Sequence, residues 1–273
     1  MIKELSRNRM ALAGLIFIAV ILLFAVLAPA IAPYDPSAID AGNILAAPSA
    51  AHIFGTDALG RDVFSRIVYG GRISLSIGFI AVGISVLIGI FFGSVAGYYA
   101  GRTDSVIMRV VDIMLCFPAF FLILAVIAVL EPSIFNIMAV IGSTGWMGVA
   151  RLVRAEVLTL KERDYVTASK IMGAGNFWII TRHLIPNAAG PVMVSATLGI
   201  GGAILVESAL SFLGIGVQPQ TPSWGNMLMD GKSTLGVAWW LTVFPGLFIL
   251  FKVLSYNILG EGLRDMMEPR LRK

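Results

Sequence analysis

Ionisable residues divide the chain into six long uncharged runs. There are 25 uncharged residues between Arg9 and Asp35, and 29 between Arg72 and Arg102. Another 18 lie between Asp112 and Glu131 and 19 between Glu131 and Arg151, with Glu131 and Pro132 reading as the tight turn between these two runs. The last two runs hold 23 residues, from His183 to Glu207, and 19, from Lys232 to Lys252, where the apolar pattern continues to Leu259. A helix crosses a bilayer with about 20 apolar residues, so every run is long enough for one crossing. Barrel strands alternate at every second residue and these runs do not, so the pattern predicts an all-α membrane protein of six transmembrane helices.

Composition agrees, since 58% of the 273 residues are hydrophobic and only 13% charged. One soluble core cannot hide that much apolar surface, and little chain is left over for a large soluble catalytic domain. The first run exceeds the length of a cleaved signal's apolar region and is read as a retained helix. Cys116, the single cysteine, allows no disulfide within the chain. With the N-terminus inside, 15 of the 20 Lys and Arg residues fall inside and four outside: Arg61, Arg66, Arg72 and Lys232. Lys252 lies within the last span. This bias predicts cytoplasmic N- and C-termini, and it accounts for the net charge of +4 without a nucleic-acid partner.

Three segments lie outside the apolar runs. In residues 32–72, predicted external, three prolines precede a stretch where Val63, Ile67 and Gly70 share one helical face, which predicts an amphipathic helix lying on the membrane surface. In residues 151–187, predicted cytoplasmic, Asp164 can cap a short helix ended by Gly173 to Gly175, and Asn176 can cap another ended by Pro186. The first would expose Val166, Ala168, Ile171 and Met172, either to a partner's groove or to its own bundle. In residues 214–235, predicted external, the density of Pro and Gly argues against a regular helix, and Trp224 offers an aromatic plane at the interface. That segment reads as a lid, a docking surface or a plain connector.

Catalytic and cofactor constellations are missing. Asp230-Gly-Lys-Ser-Thr234 resembles the tail of a phosphate-binding loop, but Asn226 stands where the loop's first glycine belongs. Two histidines on opposite sides and one cysteine assemble no ordinary metal site. Gly89, Gly93, Gly97 and Gly101 recur at intervals of four, a spacing that lets helix backbones approach closely in lipid. Asp112 reads as an interfacial acid. Glu207 lies at a span, where a carboxylate faces a cavity or a partner, and it is placed to hydrogen-bond the broken segment that follows or to take part in proton coupling.

The residues from Asp164 to Asn187 resemble the EAA loop of ABC importer permeases, with Thr167-Ala168-Ser169 at the triplet, Gly173 at the glycine and Ile185-Pro186 at the end. Two of the triplet's three positions depart from the family pattern, so no glutamate salt bridge is carried over. Three further strings resemble the C-type membrane subunit of the dipeptide/oligopeptide (peptide/nickel) importers. These are Gly55-Thr-Asp-Ala-Leu-Gly-Arg-Asp62, Glu207-Ser-Ala-Leu-Ser-Phe-Leu-Gly-Ile-Gly216 with Pro222-Ser-Trp-Gly225, and Gly260-Glu-Gly-Leu-Arg-Asp265 with Glu268-Pro-Arg-Leu271. The resemblance implies the type I ABC importer permease fold in the bacterial inner membrane. Residues 1–72 would form the tail, first helix and external segment, and residues 73–273 a core of five helices. Implied partners are a second permease, two cytoplasmic ATPase subunits, an external substrate-binding protein and membrane lipid; no cofactor or metal is implied. Coupling to the ATPases falls to Asp164, Val166, Thr167, Ala168, Ser169, Ile171, Met172 and Gly173. Asp57, Arg61, Asp62, Glu207 and Trp224 become candidates for the pathway or for docking. Nickel and glutathione importers share these strings. A self-sufficient secondary transporter would instead show paired broken helices and two related halves.

Overall fold

The computed structural model describes residues 9–131, 133–218 and 220–267. Pro132 of the expected tight turn, Pro219, the tail cations Lys3 and Arg7, and the string from Glu268 onward lie outside the described residues. Helix α1 (Arg9–Val26) is followed by one separate turn, Ala28–Ile31, and by a loop to residue 62 with a single 3-10 turn at Ala41–Asn43. Then come α2 (Val63–Tyr99), α3 (Gly101–Leu115), α4 (Ala119–Val129), α5 (Ile134–Leu160), α6 (Asp164–Ile171) and α7 (Asn176–Ile179). A π-helical turn, Ile180–Leu184, joins α7 to α8 (Ile185–Phe212), and α9 (Trp224–Lys232) and α10 (Trp240–Met267) complete the described chain. Among the described residues the β pairing is confined to an isolated antiparallel bridge between Thr56 and Asp62.

Val63–Tyr99, Asn176–Phe212 and Trp240–Met267 are each long and apolar enough to cross a membrane alone. The third predicted span is broken. α3 and α4 meet at an 82° bend around residues 116–118, and the 11 residues of α4 reach only about 16 Å, too short to cross unaided. α3 turns its acids toward α5, where Asp104 pairs with Arg154 and Asp112 with Arg151 at 2.5 Å, while Val106, Val110 and Ile113 stay exposed.

α2 is the axis of the structure. At 37 residues it is about 55 Å long and reaches both ends of the bundle. The helix expected to lie on the membrane surface over residues 62–72 is instead the opening of α2. Asp62 caps it by accepting from the Ser65 amide at 2.8 Å, and Ser65 and Arg66 are buried along with Val63 and Ile67, so the face that reads as polar is turned into the protein.

α5 runs parallel to α2 at close range. A Cβ on Gly89 would come within 2.5 Å of Val149, one on Gly93 within 2.6 Å of the Ala150 carbonyl, and one on Gly97 within 2.9 Å of the Arg154 carbonyl. The same holds from the other side, where Gly142 faces Ile84 and Ser85 donates to the Gly142 carbonyl at 2.7 Å. Gly101 is not part of this seam: it opens α3 with φ +55° and faces open space. Ile77, Ala81, Ile123, Ile137, Ile141, Ala203 and Leu210 join α2, α4, α5 and α8 in one apolar core. Ile21, Val63, Ile67, Trp224, Trp240 and Leu241 join α1, α2, α9 and α10 in another.

Two further expectations are corrected. Residues 224–232 do form a helix: Ser223 and Asn226 make a reciprocal capping box, which starts α9 immediately after the proline-rich stretch. Pro186 does not end the helix that begins at Asn176. The π-helical turn just before it takes up the ladder position that a residue without an N–H cannot fill, and the axis continues to Phe212.

The seam predicts opposite responses to adding one methyl group. Gly93→Ala should lower the melting temperature in detergent, because overpacking against backbone costs about 1–3 kcal/mol. Gly83→Ala, on the open side of α2 with nothing within 4 Å of the new Cβ, should hold or raise it.

Candidate functional site

Two groups of residues stand out, one at each end of α2. At its C-terminal end α6 forms a two-turn helix that begins after Arg163, with Asp164 in its first turn. Met172 follows, and Gly173 at φ +85° turns the chain back, its amide bonded to the Lys170 carbonyl at 3.0 Å and that of Ala174 to the Ser169 carbonyl at 3.0 Å. This is a left-handed helix stop, which glycine adopts without strain. Gly175, not Asn176, occupies the cap position of α7.

α6 faces two ways. Val166 is fully buried against Val153, Val157, Ile179 and Leu184, and Ser169 is buried beside it. Thr167 and Ala168 are exposed, and Ile171 and Met172 stand 82% and 80% open. Phe177 adds another exposed ring at 81% and Trp178 a half-exposed one, with Arg163, Lys170 and Arg182 around them. The predicted outward face of Val166, Ala168, Ile171 and Met172 is therefore corrected at Val166. At about 100° per residue, Val166 and Ser169 share the inward face and Ala168 and Ile171 the outward one.

At the opposite end a buried charge network holds the loop before α2. Arg61 Nε donates to Asp57 Oδ2 at 2.6 Å, and its Nη2 reaches Asp230 Oδ2 on α9 at 3.5 Å. Arg66, fully buried, lies 3.6 Å from Asp57 and 3.7 Å from Asp230, distances of electrostatic attraction rather than hydrogen bonding. Asp62 receives the Ser65 hydroxyl at 2.7 Å and faces His52 Nδ1 at 2.9 Å. Burial pushes the Asp230 carboxyl up, against the pull of the Arg66 and Arg61 guanidiniums.

One layer deeper, Glu207 on α8 and Lys252 on α10 are both fully buried. Glu207 accepts the Ser211 hydroxyl at 2.8 Å and that of Ser208 at 3.5 Å. Ser211 in turn receives the Val217 amide at 3.1 Å, which fixes the chain after α8. The Lys252 ammonium sits 4.5 Å over the Trp224 ring, and the Trp224 indole donates to the Ile67 carbonyl of α2 at 2.8 Å. α2, α8, α9 and α10 thus converge here through the Ile67 carbonyl, Glu207, Trp224 and Lys252. Separately, a cavity of about 260 Å³ opens between α2, α4, α5 and α8, lined by small side chains that include Ser85, Gly145, Gly148, Ser195 and Gly199.

This architecture has known relatives. Residues 89–273 match the family described as binding-protein-dependent transport system inner membrane component, and residues 1–48 match the N-terminal TM domain of oligopeptide transport permease C. The chain belongs to the dipeptide/oligopeptide permease family of ABC importers. The dipeptide transport system permease protein DppC of Alkalihalophilus pseudofirmus is 43% identical over 99% of this chain and 89% of its own. The oligopeptide transport system permease protein OppC of Bacillus subtilis is 41% identical over 97% and 87%. The crystal structure of an amino acid ABC transporter superposes with a TM-score of 0.54 at 15% identity, over 76% of this chain and 95% of that one. The MetNI methionine ABC transporter, in inward-facing conformations, also gives 0.54 at 15%, over 72% and 96%.

The permease is a multi-span inner-membrane protein. Of its sequence-predicted site residues, Asp164, Thr167, Ala168, Ile171, Met172 and Gly173 share one exposed surface, with Val166 and Ser169 as its inward anchors. Asp57, Arg61, Asp62, Glu207 and Trp224 converge at the other end, all buried, so in this conformation they brace the loops rather than face a partner. Sequence reading missed Arg66, Asp230, Lys252 and the ring at Phe177. Arg66 and Lys252 carried the one available signal, a cation inside an apolar stretch.

The buried cluster predicts the cost of losing one hydroxyl. Ser211→Ala should destabilise the permease by about 1–3 kcal/mol, because it removes the group that donates to the buried Glu207 and receives the Val217 amide, as read by thermal melts in one detergent. Asp230 predicts a pH trend. An acid whose folded pKa is raised above its ordinary 3.8 contributes stability at low pH that is lost as pH rises through the folded value. The melting temperature of the native permease relative to Asp230→Asn should therefore fall as pH rises above the ordinary carboxylate range.

Proposed function

We propose that this permease is the membrane-spanning subunit of an ATP-driven importer that moves di- and oligopeptides into the cytoplasm. Its working assembly adds a second, homologous permease, two cytoplasmic ATPase subunits and an external substrate-binding protein. The observation that carries the reading is the exposed apolar surface of α6, Gly173 and Phe177, held by a short, capped and internally anchored helix. A partner's groove takes up such a surface as it takes up any amphipathic helix, and the basic rim of Arg163, Lys170 and Arg182 suits acidic neighbours on that partner.

Sidedness follows from charge. Arg102, Arg109, Arg151, Arg154, Lys161, Arg163, Lys170 and Arg182 collect at the α6 end, which is therefore the cytoplasmic end and carries both termini. The loop over residues 32–62 and α9 then face outward, where their backbone, braced by the Asp57, Arg61, Arg66 and Asp230 network, offers the binding protein a fixed platform. ATP draws the ATPases together, α6 travels with them, and the bundle rocks between inward and outward openings. The small side chains lining the cavity among α2, α4, α5 and α8 leave room for that change. Relatives named for dipeptides, di/tripeptides and oligopeptides support the peptide class of substrate.

The joint substitution Ile171→Glu with Met172→Glu tests the docking role. Both side chains are exposed, so the variant should fold and insert normally. Copurification in mild detergent should recover ATPase subunits with the native permease and lose them with the variant. Equal recovery would refute the assignment.

A further inference from the structure

α6 is fastened to the bundle by few polar contacts, and they do not all lead to the same helix. The Lys170 ammonium lies 5.5 Å over the Tyr98 ring, and the Tyr98 hydroxyl donates to Asn176 Oδ1 at 2.8 Å, which ties the segment to the end of α2. A further contact joins α6 to the π-helical turn that leads into α8: Ser169 Oγ and His183 Nε2 are 3.0 Å apart.

Donor counting fixes the direction of that bond. Ser169 Oγ lies 2.9 Å from the Tyr165 carbonyl, to which it donates its only proton. Its oxygen is then an acceptor for His183, so His183 carries its proton on Nε2. The ring is held in this orientation by Trp178, edge-on with centroids 4.8 Å apart, and by Tyr165 at 5.6 Å. The backbone under His183 is equally constrained. Pro186 supplies no N–H to the preceding turn, the turn is π-helical, and the His183 carbonyl accepts the Asn187 side-chain amide at 2.6 Å. A side chain on an irregular turn, aimed at a buried hydroxyl of the neighbouring helix, is a mechanical joint.

We infer that His183 is a positioning residue whose Nε2–H···Oγ bond to Ser169 makes α6 and α8 move as one body, so that displacement of α6 reaches the membrane-spanning part of α8. This rests on the reading of α6 as the ATPase-docking helix and extends it to the path by which motion enters the membrane. Without the bond Ile171, Met172 and, on α7, Phe177 stay exposed and the ATPases still bind, but part of their stroke is lost in slippage between α6 and the turn.

The test uses the whole assembly in proteoliposomes, with its binding protein and a tryptic casein digest as peptide source. The readout is ATP hydrolysed per peptide taken up. His183→Ala and Ser169→Ala should each raise that ratio by about two- to tenfold, the factor one hydrogen bond is worth. The double variant should be no worse than either single one, and His183→Gln, which restores an N–H donor, should recover part of the loss. ATPase copurification should be unchanged throughout. Unchanged ratios, or fully additive effects of the two alanine substitutions, overturn the inference. If His183→Ala fails to assemble, Ser169→Ala decides alone, since it removes the acceptor and leaves the ring packing intact. Failure of the native chain to recover ATPases would sink the docking reading instead, a result visible before any variant is made.

Discussion

Lipid gives helices no hydrophobic reason to associate, and the rest of this structure depends on how α2 and α5 solve that problem. Backbone-to-backbone approach over Gly89, Gly93, Gly97, Gly142 and Gly145 replaces the missing drive with dispersion contacts that larger side chains would prevent. Because α2 runs the whole height of the bundle, this one seam sets the positions of both candidate sites. Trp224 and Arg66 are placed by its first turns, and Tyr98, Val157 and through them α6 by its last.

The second constraint is the cost of charge away from water. Lys252 and Glu207 are fully buried, and each is tolerated because something specific answers it: the Trp224 face for the cation and a set of serine hydroxyls for the acid. The arrangement has a geometric consequence. Satisfying these charges requires α9 to sit on α2, α8 and α10 at once, so the segment between α8 and α10 is pinned instead of loose. The Arg61, Arg66, Asp57 and Asp230 group extends the same logic to the loop before α2.

Much of this was legible in the sequence, for reasons that can be named. Spacing between charges gave the apolar segments, and glycines at intervals of four gave the close seam, because both are periodic along the chain. The left-handed stop at Gly173 was legible because only local geometry is involved. What escaped depends on tertiary partners. Residues 62–72 read as amphipathic, yet Arg66 is buried against Asp57 and against Asp230 of α9, which lie outside that stretch. Val166 read as outward because an eight-residue helix carries too few residues to show which face the bundle will claim. The break at residues 116–118 falls at Pro118, a signal that the uncharged run around it outweighed, and Pro186 read as a stop because a π-helical turn upstream of a proline has no composition of its own. Ser223 and Asn226 did carry a capping signal for α9, which the surrounding prolines obscured.

The account's central claim is that the outward face of α6 is where force enters the permease. Site-specific crosslinking in native membranes tests it most directly. With Cys116 replaced by serine, a single cysteine at Ile171 carrying a short photoreactive group should capture an ATPase subunit, and the yield should change when ATP is added. Capture of lipid alone, or of nothing, while uptake remains intact would contradict the claim.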